Sequence, residues 1–433
     1  MLKYSTLVCL SLVFGQQVHA ADQWRLTTDL WGNPVYGTLT LEHNGDNLSG
    51  DIDGDKLSGH RQGASLTFES IDVDGTVYHY EGKLQDNTIK GVADFPDTNN
   101  PSVRVTHAFS AQKIAARPEG QPRRYEFMPT SYSNLFDPHR TPVLTIWPGD
   151  TVQTKTIDSG GVDEHGVTQA LFGNPQTGPF FIATAAPGDT LVVRINRLKL
   201  NRDYADSLDA IVGRALGTRF ATQADELGKP VRWKLDRERG IASLETPTEH
   251  LKDYTVKVRP MLGGLAVAPG FGSAPISTGD TGRFGGNMDF NEVIEGNIVY
   301  LPVQQPGALL YLGDAHALQG DGETSQYALE TSMDVEFTVD LIKAQSIAMP
   351  RVESPDQLMV LGQAGSLDEA LRSATTGLIQ WLQQDYGLTL PECAILLGSA
   401  AHYSIPNLAG RSVGVALKLD KSLLTMPRLS GKG

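Results

Sequence analysis

From Trp24 to about Lys113 apolar and polar residues alternate, and Asn, Asp and Gly interrupt the alternation at short intervals. The runs LSGDIDG, TVYHYEGKL and TIKGVADF would each put their apolar side chains on one face of an extended chain, since successive strand side chains point to opposite sides. Asn44-Gly45-Asp46, Asp53-Gly54 and Asp74-Gly75 supply the residues that tight hairpin turns require. The pattern predicts an up-and-down antiparallel sheet or small barrel of about six to eight strands. Beyond Tyr125 a second pattern recurs. Val143–Trp147 and Thr151–Ile157 flank Pro148-Gly149-Asp150, and Phe180–Thr184 and Leu191–Ile195 flank Pro187-Gly188-Asp189. A looser copy joins Ile298–Val303 to Leu309–Leu312 through Gln305-Pro306-Gly307. Each copy reads as a strand–PG–strand hairpin, because Pro presets the φ of the turn and Gly supplies a positive one.

Helical spacing is confined to the last part. Leu367, Ala370, Leu371, Ala374, Leu378, Trp381 and Leu382 recur at intervals of three and four, predicting a helix over Leu367–Tyr386. Ser366 is a fitting N-cap with Glu369 three residues on, and Gly387 is a fitting stop. Pro391–Ala400 reads as a second, buried helix, Val413–Leu419 as a final strand, and Asp203–Leu216 as a helix followed by a strand at Val231–Leu235. The expected fold class is mainly β with some α: an N-terminal antiparallel β-barrel-like domain, then a β-rich α+β domain.

The formal net charge of −14 argues against a broad phosphate-binding surface, so no nucleic-acid partner is expected. Lys3, the apolar run Ser5–Gly15 and Val18-His19-Ala20 match a cleavable export signal over residues 1–20, too short to span a bilayer. No later segment is apolar enough to cross a membrane. Cys9 falls in that signal, which leaves Cys393 alone and excludes an intrachain disulfide in the processed chain. Periplasmic or secreted bacterial location is the expectation. The Pro- and charge-rich stretch AARPEGQPRR marks a linker at 115–124, between a β domain at 21–114 and a larger domain at 125–433.

Candidate chemistry concentrates in LLYLGDAHALQGDGE, residues 309–323. Leu309–Leu312 reads as a buried strand ended by Gly313; if the chain is still extended beyond it, Asp314 and His316 point to one face. A turn at Gly320 and Gly322 could return Glu323 towards them. Such O and N donors suit a zinc-like cation, though the spacing also suits an Asp-rich loop that caps its own turns. Asp158 ends a strand and reads equally as a site residue or a turn cap, and Gly285-Gly286-Asn287-Met288-Asp289 closes a Gly-rich stretch with an amide and a carboxylate two residues apart. His43, His60, His79 and His107 lack metal spacing and read as surface residues. No Ser–Lys signature for a serine amidase appears, and Cys393 sits in an apolar segment unsuited to a nitrilase-type site.

Taken in order, these segments resemble the acetamidase/formamidase family. PVLTIWPGDTVQTKTIDSGG is similar to its opening strands and Asp, and GNPQTGPFFIATAAPGDTLVVRI to its TGP…PGD strand pair. MLGGLAVAP…GRFGGNMDFNEVIEGNIVYLPV is similar to its Gly-rich loop, and GALLYLGDAHALQGDGE to its motif GD-x-H-x-x-QG-x-GE. The resemblance covers about residues 125–425 and departs from the pattern at Asn174-Pro175-Gln176, where many members carry His-Pro, and around His402–Leu408. It implies hydrolysis of a linear amide, acetamide- or formamide-like, to carboxylate and ammonia, and a tendency to assemble as a homo-oligomer. The implied ligands of a divalent metal, Zn2+ first with Ca2+ or Mn2+ as alternatives, are Asp158, Asp289, Asp314 and His316. Glu323 would be a further ligand or the general base, Asn287 an oxyanion donor, and Gln319 a group orienting one ligand. The alternative in a different class is a non-catalytic exported protein that binds a metal or small ligand in an amidase-like fold.

Overall fold

A computed structural model describes residues 21–117, 119–270 and 272–429. The export signal expected at residues 1–20 lies outside them. Contacts divide the described chain into one unit of residues 21–31 with 39–113 and another of 32–38 with 114–429.

The first unit is a closed barrel of eight antiparallel strands running from Asp22–Leu30 to Arg104–Lys113. The last strand pairs back on the first, Trp24 facing Lys113, so no edge is left open. The alternation sends Leu39, Leu41, Leu66, Phe68, Ile89 and Phe109 inward, and Phe68 stacks on Tyr80 at 4.9 Å between ring centroids. Each such side chain contributes about 1.5–3 kcal/mol by leaving water. His107, expected at the surface, is buried with its Nδ1 3.2 Å from the Asp29 carbonyl.

The second unit is built on two large mixed sheets of eleven and nine strands. Phe180, Leu265 and Leu310 from the first interleave with Val193, Val335 and Phe337 from the second in one apolar core. Helix Leu367–Tyr386 covers the outer face of the nine-stranded sheet through Leu378 and Trp381, the latter edge-on to Tyr300 at 5.6 Å. Ser366 accepts the Glu369 N–H at 3.3 Å and Gly387 closes the helix at φ 67°, as the sequence pattern predicts.

The PG turns do not make hairpins. Strand Gln176–Ile182 lies in the eleven-stranded sheet, whereas Thr190–Leu200 lies in the nine-stranded one. The same division separates Leu144–Ile146 from Thr151–Lys155, and Leu310–His316 from Ile298–Pro302. Each turn therefore carries the chain from one sheet to the other. The turn aspartates hold the corners: Asp150 accepts the N–H groups of Trp147 and Arg123 at 2.9 and 2.8 Å, and Asp189 those of Ala186 and Ala344 at 2.9 and 2.8 Å. Local alternation announces a strand but not its partner.

Two helix expectations are corrected. Tyr204–Leu208 is a strand paired with Pro230–Asp236, followed only by a short 3-10 turn at Gly213–Ala215, because sheet pairing overrides the local propensity. Leu390–Ala400 is helical but not buried: Cys393 alone is enclosed and Ile395 is 73% exposed. Among the described residues no helix is long and apolar enough to cross a membrane.

Candidate active site

Strand Leu310–His316 runs on through Gly313 and is buried throughout, so the expected stop at Gly313 does not occur. Asp314 has a φ of 52°, rare for a residue with a Cβ, and Asp289 and Glu323 share that region at 43° and 41°. Three of the six candidate residues thus hold strained backbone, as functional sites often do. The neighbouring strand Met261–Ala266 places Gly263 opposite Asp314, since Leu262 pairs with Ala315 and Gly264 with Gly313. The Gly263 carbonyl accepts the N–H groups of Met288 and Asp289 at 2.8 and 3.1 Å, which wraps the GGNMD turn against the strand. On the other side Glu330 pairs with His316.

Among the described residues, two sets of side chains bring donor atoms within 4.8 Å of one another: Asp289, His316 and Glu323, and Asp314, His316 and Glu330. All five residues are buried. His316 Nε2 lies 3.2 Å from Glu330 Oε1 and 3.6 Å from Asp314 Oδ1. Its Nδ1 lies 3.0 Å from Gln319 Oε1. The Gln319 amide donates from Nε2 to the carbonyls of Asp289 and Pro406 at 2.6 and 3.1 Å, so Oε1 is the acceptor and the imidazole proton belongs on Nδ1. Nε2 is thereby the nitrogen that faces the carboxylates, and it carries a lone pair only when the ring is neutral.

The carboxylates are held in a similar one-sided way. Asp289 Oδ2 accepts from Asn287 and Asn407 at 2.9 and 2.6 Å, and Asp314 Oδ2 from Asn174 at 3.1 Å. Their other oxygens, Asp289 Oδ1 and Asp314 Oδ1, are buried without a hydrogen bond, as are His316 Nε2 and Glu330 Oε2. Buried polar atoms are rarely left in this condition. A Cβ on Gly263 would come within 2.7 Å of both Asp289 Oδ1 and Asp314 Oδ2, so the missing side chain keeps a space at the centre of the cluster. Burial and the neighbouring Asp314 raise the pKa of Asp289 well above its ordinary value. Burial and then Asp289 do the same to Glu323, and burial raises Glu330. Burial alone would lower the His316 pKa, but Glu330 and Asp314 outweigh it and hold it well above 6.5. Both carboxyls are buried in the same donor set, so the charge of Asp289 makes Glu323 harder to ionise. One imidazole and several carboxylates with free lone pairs could hold a divalent cation, and the Gln319 contact is what a ligating histidine needs on its second nitrogen.

Asp158 stands apart from this set. Its Oδ2 accepts from Arg202 at 2.6 Å and its Oδ1 from the Val162 N–H at 2.8 Å, so both oxygens are taken. Its observed contacts staple the loop after it rather than complete the cluster. Asn287 Nδ2 donates to Asp289 at 2.9 Å and its carbonyl oxygen accepts from Asn174 at 2.7 Å, so it orients a carboxylate while also lining the cavity beside the cluster. Glu330 was not legible in the sequence, although an acid just ahead of the alternating run Met333–Ile342 is a weak signal. Asn174 and Asn407 lie in the two segments that depart from the family pattern, and both hold site carboxylates. Replacing Gln319 by Met, which keeps length but not the acceptor, is expected to weaken metal affinity by about 10–100-fold, measured by competition with a chelating dye.

The cluster opens to a cavity of about 120 Å3 lined by Asn174, Asp314, Glu323, Tyr327 and Glu330. Pockets for drug-sized ligands run to roughly 300–1,000 Å3, so the reacting group must be small. A larger groove of about 870 Å3 passes Tyr300, Asp385 and Arg428. There Arg428 is already paired with Asp385 and Glu353 at 2.6 and 3.2 Å, and neither donor set lies in it.

Residues 272–362 match the Acetamidase/Formamidase family. The matched residues all lie in the second unit. A formamidase of Schizosaccharomyces pombe is 54% identical over 41 residues, a stretch that spans 10% of each chain. The acetamidase of Yersinia enterocolitica is 29% identical with a TM-score of 0.61, the match covering 71% of this chain and 94% of that one. An acetamidase/formamidase from Thermoanaerobacter tengcongensis is 25% identical with a TM-score of 0.59, covering 70% of this chain and 98% of that one. The barrel precedes the family-matched segment.

Proposed function

We propose that this protein is a metal-dependent amidase that hydrolyses a small linear amide, R–CO–NH2, to a carboxylate and ammonia. The observation that carries the reading is the set of four orphaned buried atoms, Asp289 Oδ1, Asp314 Oδ1, His316 Nε2 and Glu330 Oε2, in a cluster where Gly263 leaves room beside Asp289, Asp314 and His316. The similarity to acetamidases supports the amide as substrate. Asp289, Asp314, His316 and Glu330 would hold a divalent cation, Zn2+ first and Ca2+ or Mn2+ as oxygen-tolerant alternatives. Bound there, the cation would polarise the amide carbonyl and lower the pKa of water from 15.7 to about 7.

The chain's own groups supply the proton chemistry. Glu323 lines the cavity, is buried, and lies with Asp289 and His316 in one donor set. It is the group to take the proton of the attacking water and return it to the leaving nitrogen, which departs as ammonia. Asn174, Asn287, Asn407 and Gln319 orient the charged groups with neutral amides, so they add no positive charge that would compete with a cation. Export to the periplasm or beyond belongs to the same proposal and rests on the pattern of residues 1–20. Ammonia release from short amides, on protein stripped of metal and refilled with zinc, tests the reading. Metal-dependent release is the expected result. Tight metal binding with no release from any amide would favour a binding protein instead.

A further inference from the structure

The loop that Asp158 staples carries two exposed apolar side chains, one of them beside a residue that lines the cavity. Asp158 and Arg202 close its base, with Arg202 also within 3.5 and 3.4 Å of the carbonyls of Val162 and Asp163. Asp163 folds the middle, accepting the N–H groups of His165 and Val167 at 2.9 Å each. At the far end one amide group, Asn134 Nδ2, reaches the carbonyls of Leu171, Phe172 and Gly173 at 3.1, 3.3 and 3.1 Å. Thr278 adds a bond to the Gly173 carbonyl at 2.8 Å, and the Asn174 N–H reaches the Ser159 carbonyl at 3.1 Å. On this pinned backbone Leu171 is 80% and Phe172 64% exposed. The Phe172 ring lies 6.1 Å from that of Tyr327, and Tyr327 lines the cavity.

Single exposed apolar residues are ordinary and need no explanation. These two differ because their backbone is fixed and because an aromatic path runs from Phe172 through Tyr327 to the acidic cluster. An acyl group of one or two carbons would be held wholly by the small inner cavity and would not reach them. Granting the amidase reading above, we infer that the substrate is a primary amide with a flat, uncharged, apolar or aromatic acyl tail. The amide sits among Asp314, Glu323 and Glu330, and the tail leaves along Tyr327 to rest on Phe172 and Leu171. Rigid aromatic surface of this kind binds a flat group without ordering further side chains.

The test compares phenylacetamide with acetamide on zinc-loaded full-length protein and on its Phe172→Ala variant. The wild type is expected to have the higher kcat/KM for phenylacetamide, and the phenylacetamide-to-acetamide ratio to fall about tenfold in the variant. Turnover of both amides with the same ratio in the two proteins overturns the inference and leaves the amidase reading intact. Ammonia from neither amide removes the amidase reading, and ligand-induced shifts in Tm then decide the tail site. There, phenylacetate stabilising the wild type more than acetate does, with the difference lost in Phe172→Ala, supports it, and equal shifts overturn it. A wild-type oligomer that dissociates in Phe172→Ala by light scattering also overturns it, by assigning the face to a second copy of the chain.

Discussion

Glu323→Gln is expected to lower the rate of ammonia release by about 10²–10⁴-fold, the usual contribution of a positioned acid–base group, while the purified protein keeps its metal. The substitution preserves the shape of the side chain and removes its capacity to carry a proton. Glu323 suits that task because burial and the adjacent Asp289 raise its affinity for a proton, while the chain around it is fixed. The turn Gly320–Gly322 delivers it, the Gly322 N–H bonding the Pro406 carbonyl at 3.0 Å and the Leu408 N–H returning to the Gly322 carbonyl at 3.0 Å. Glu323 also belongs to one of the two donor sets, so a second role competes with the first. The two separate cleanly: a proton carrier lost leaves metal content intact and slows turnover, whereas a ligand lost empties the site. Metal analysis of the purified variant beside its steady-state rate decides between them.

The elements legible in the sequence are those whose partners lie close along the chain. Helix Leu367–Tyr386 states its buried face by spacing and its ends by Ser366 and Gly387, all within a couple of dozen residues. The barrel is a succession of neighbours, each strand pairing with the next, and only the closure of Asp22–Leu30 on Arg104–Lys113 joins distant segments. The PG turns failed as hairpins for the converse reason. Strand Thr190–Leu200 bonds to Met333–Ile342, well over a hundred residues on, and nothing in its own alternation names that partner. The site divides along the same line. Asp314, His316, Gln319 and Glu323 fall within ten residues and could be read as a group, and the structure brings them into one cluster. Glu330 enters only through its pairing with His316, and Asp158 is occupied by an arginine 44 residues away. Neutral amides hold the carboxylates from positions as distant as Asn407, where the chain departs from the acetamidase/formamidase pattern it resembles. What periodicity cannot convey is which of several acids will have an oxygen left over.

Those leftover oxygens make metal removal the perturbation with the largest expected consequence, and one that depends on pH. Asp289, Glu323 and Glu330 bind protons more tightly in the folded chain than their ordinary values of 3.8, 4.5 and 4.5 allow. Their contribution to stability is complete below those values and is lost as pH rises towards the folded ones. His316, raised above 6.5, acts in the same direction: its contribution is present in acid and disappears as pH climbs through its folded pKa. These four groups should therefore destabilise the metal-free protein progressively as pH rises above about 4, with amide hydrolysis abolished throughout. A bound divalent cation reverses the preference, because it favours the deprotonated carboxylates and the free Nε2 lone pair. Zinc at a hundredfold excess over its Kd should add about 2.7 kcal/mol near pH 8. At pH 5 protons compete for the same atoms and the gain should be much smaller. Thermal unfolding of stripped and refilled protein across that range measures both, and calorimetry in buffers of different ionisation enthalpy should register protons released on loading. A Tm gain that is the same at pH 5 and pH 8, with no proton release, would mean that these acids are not where the metal sits.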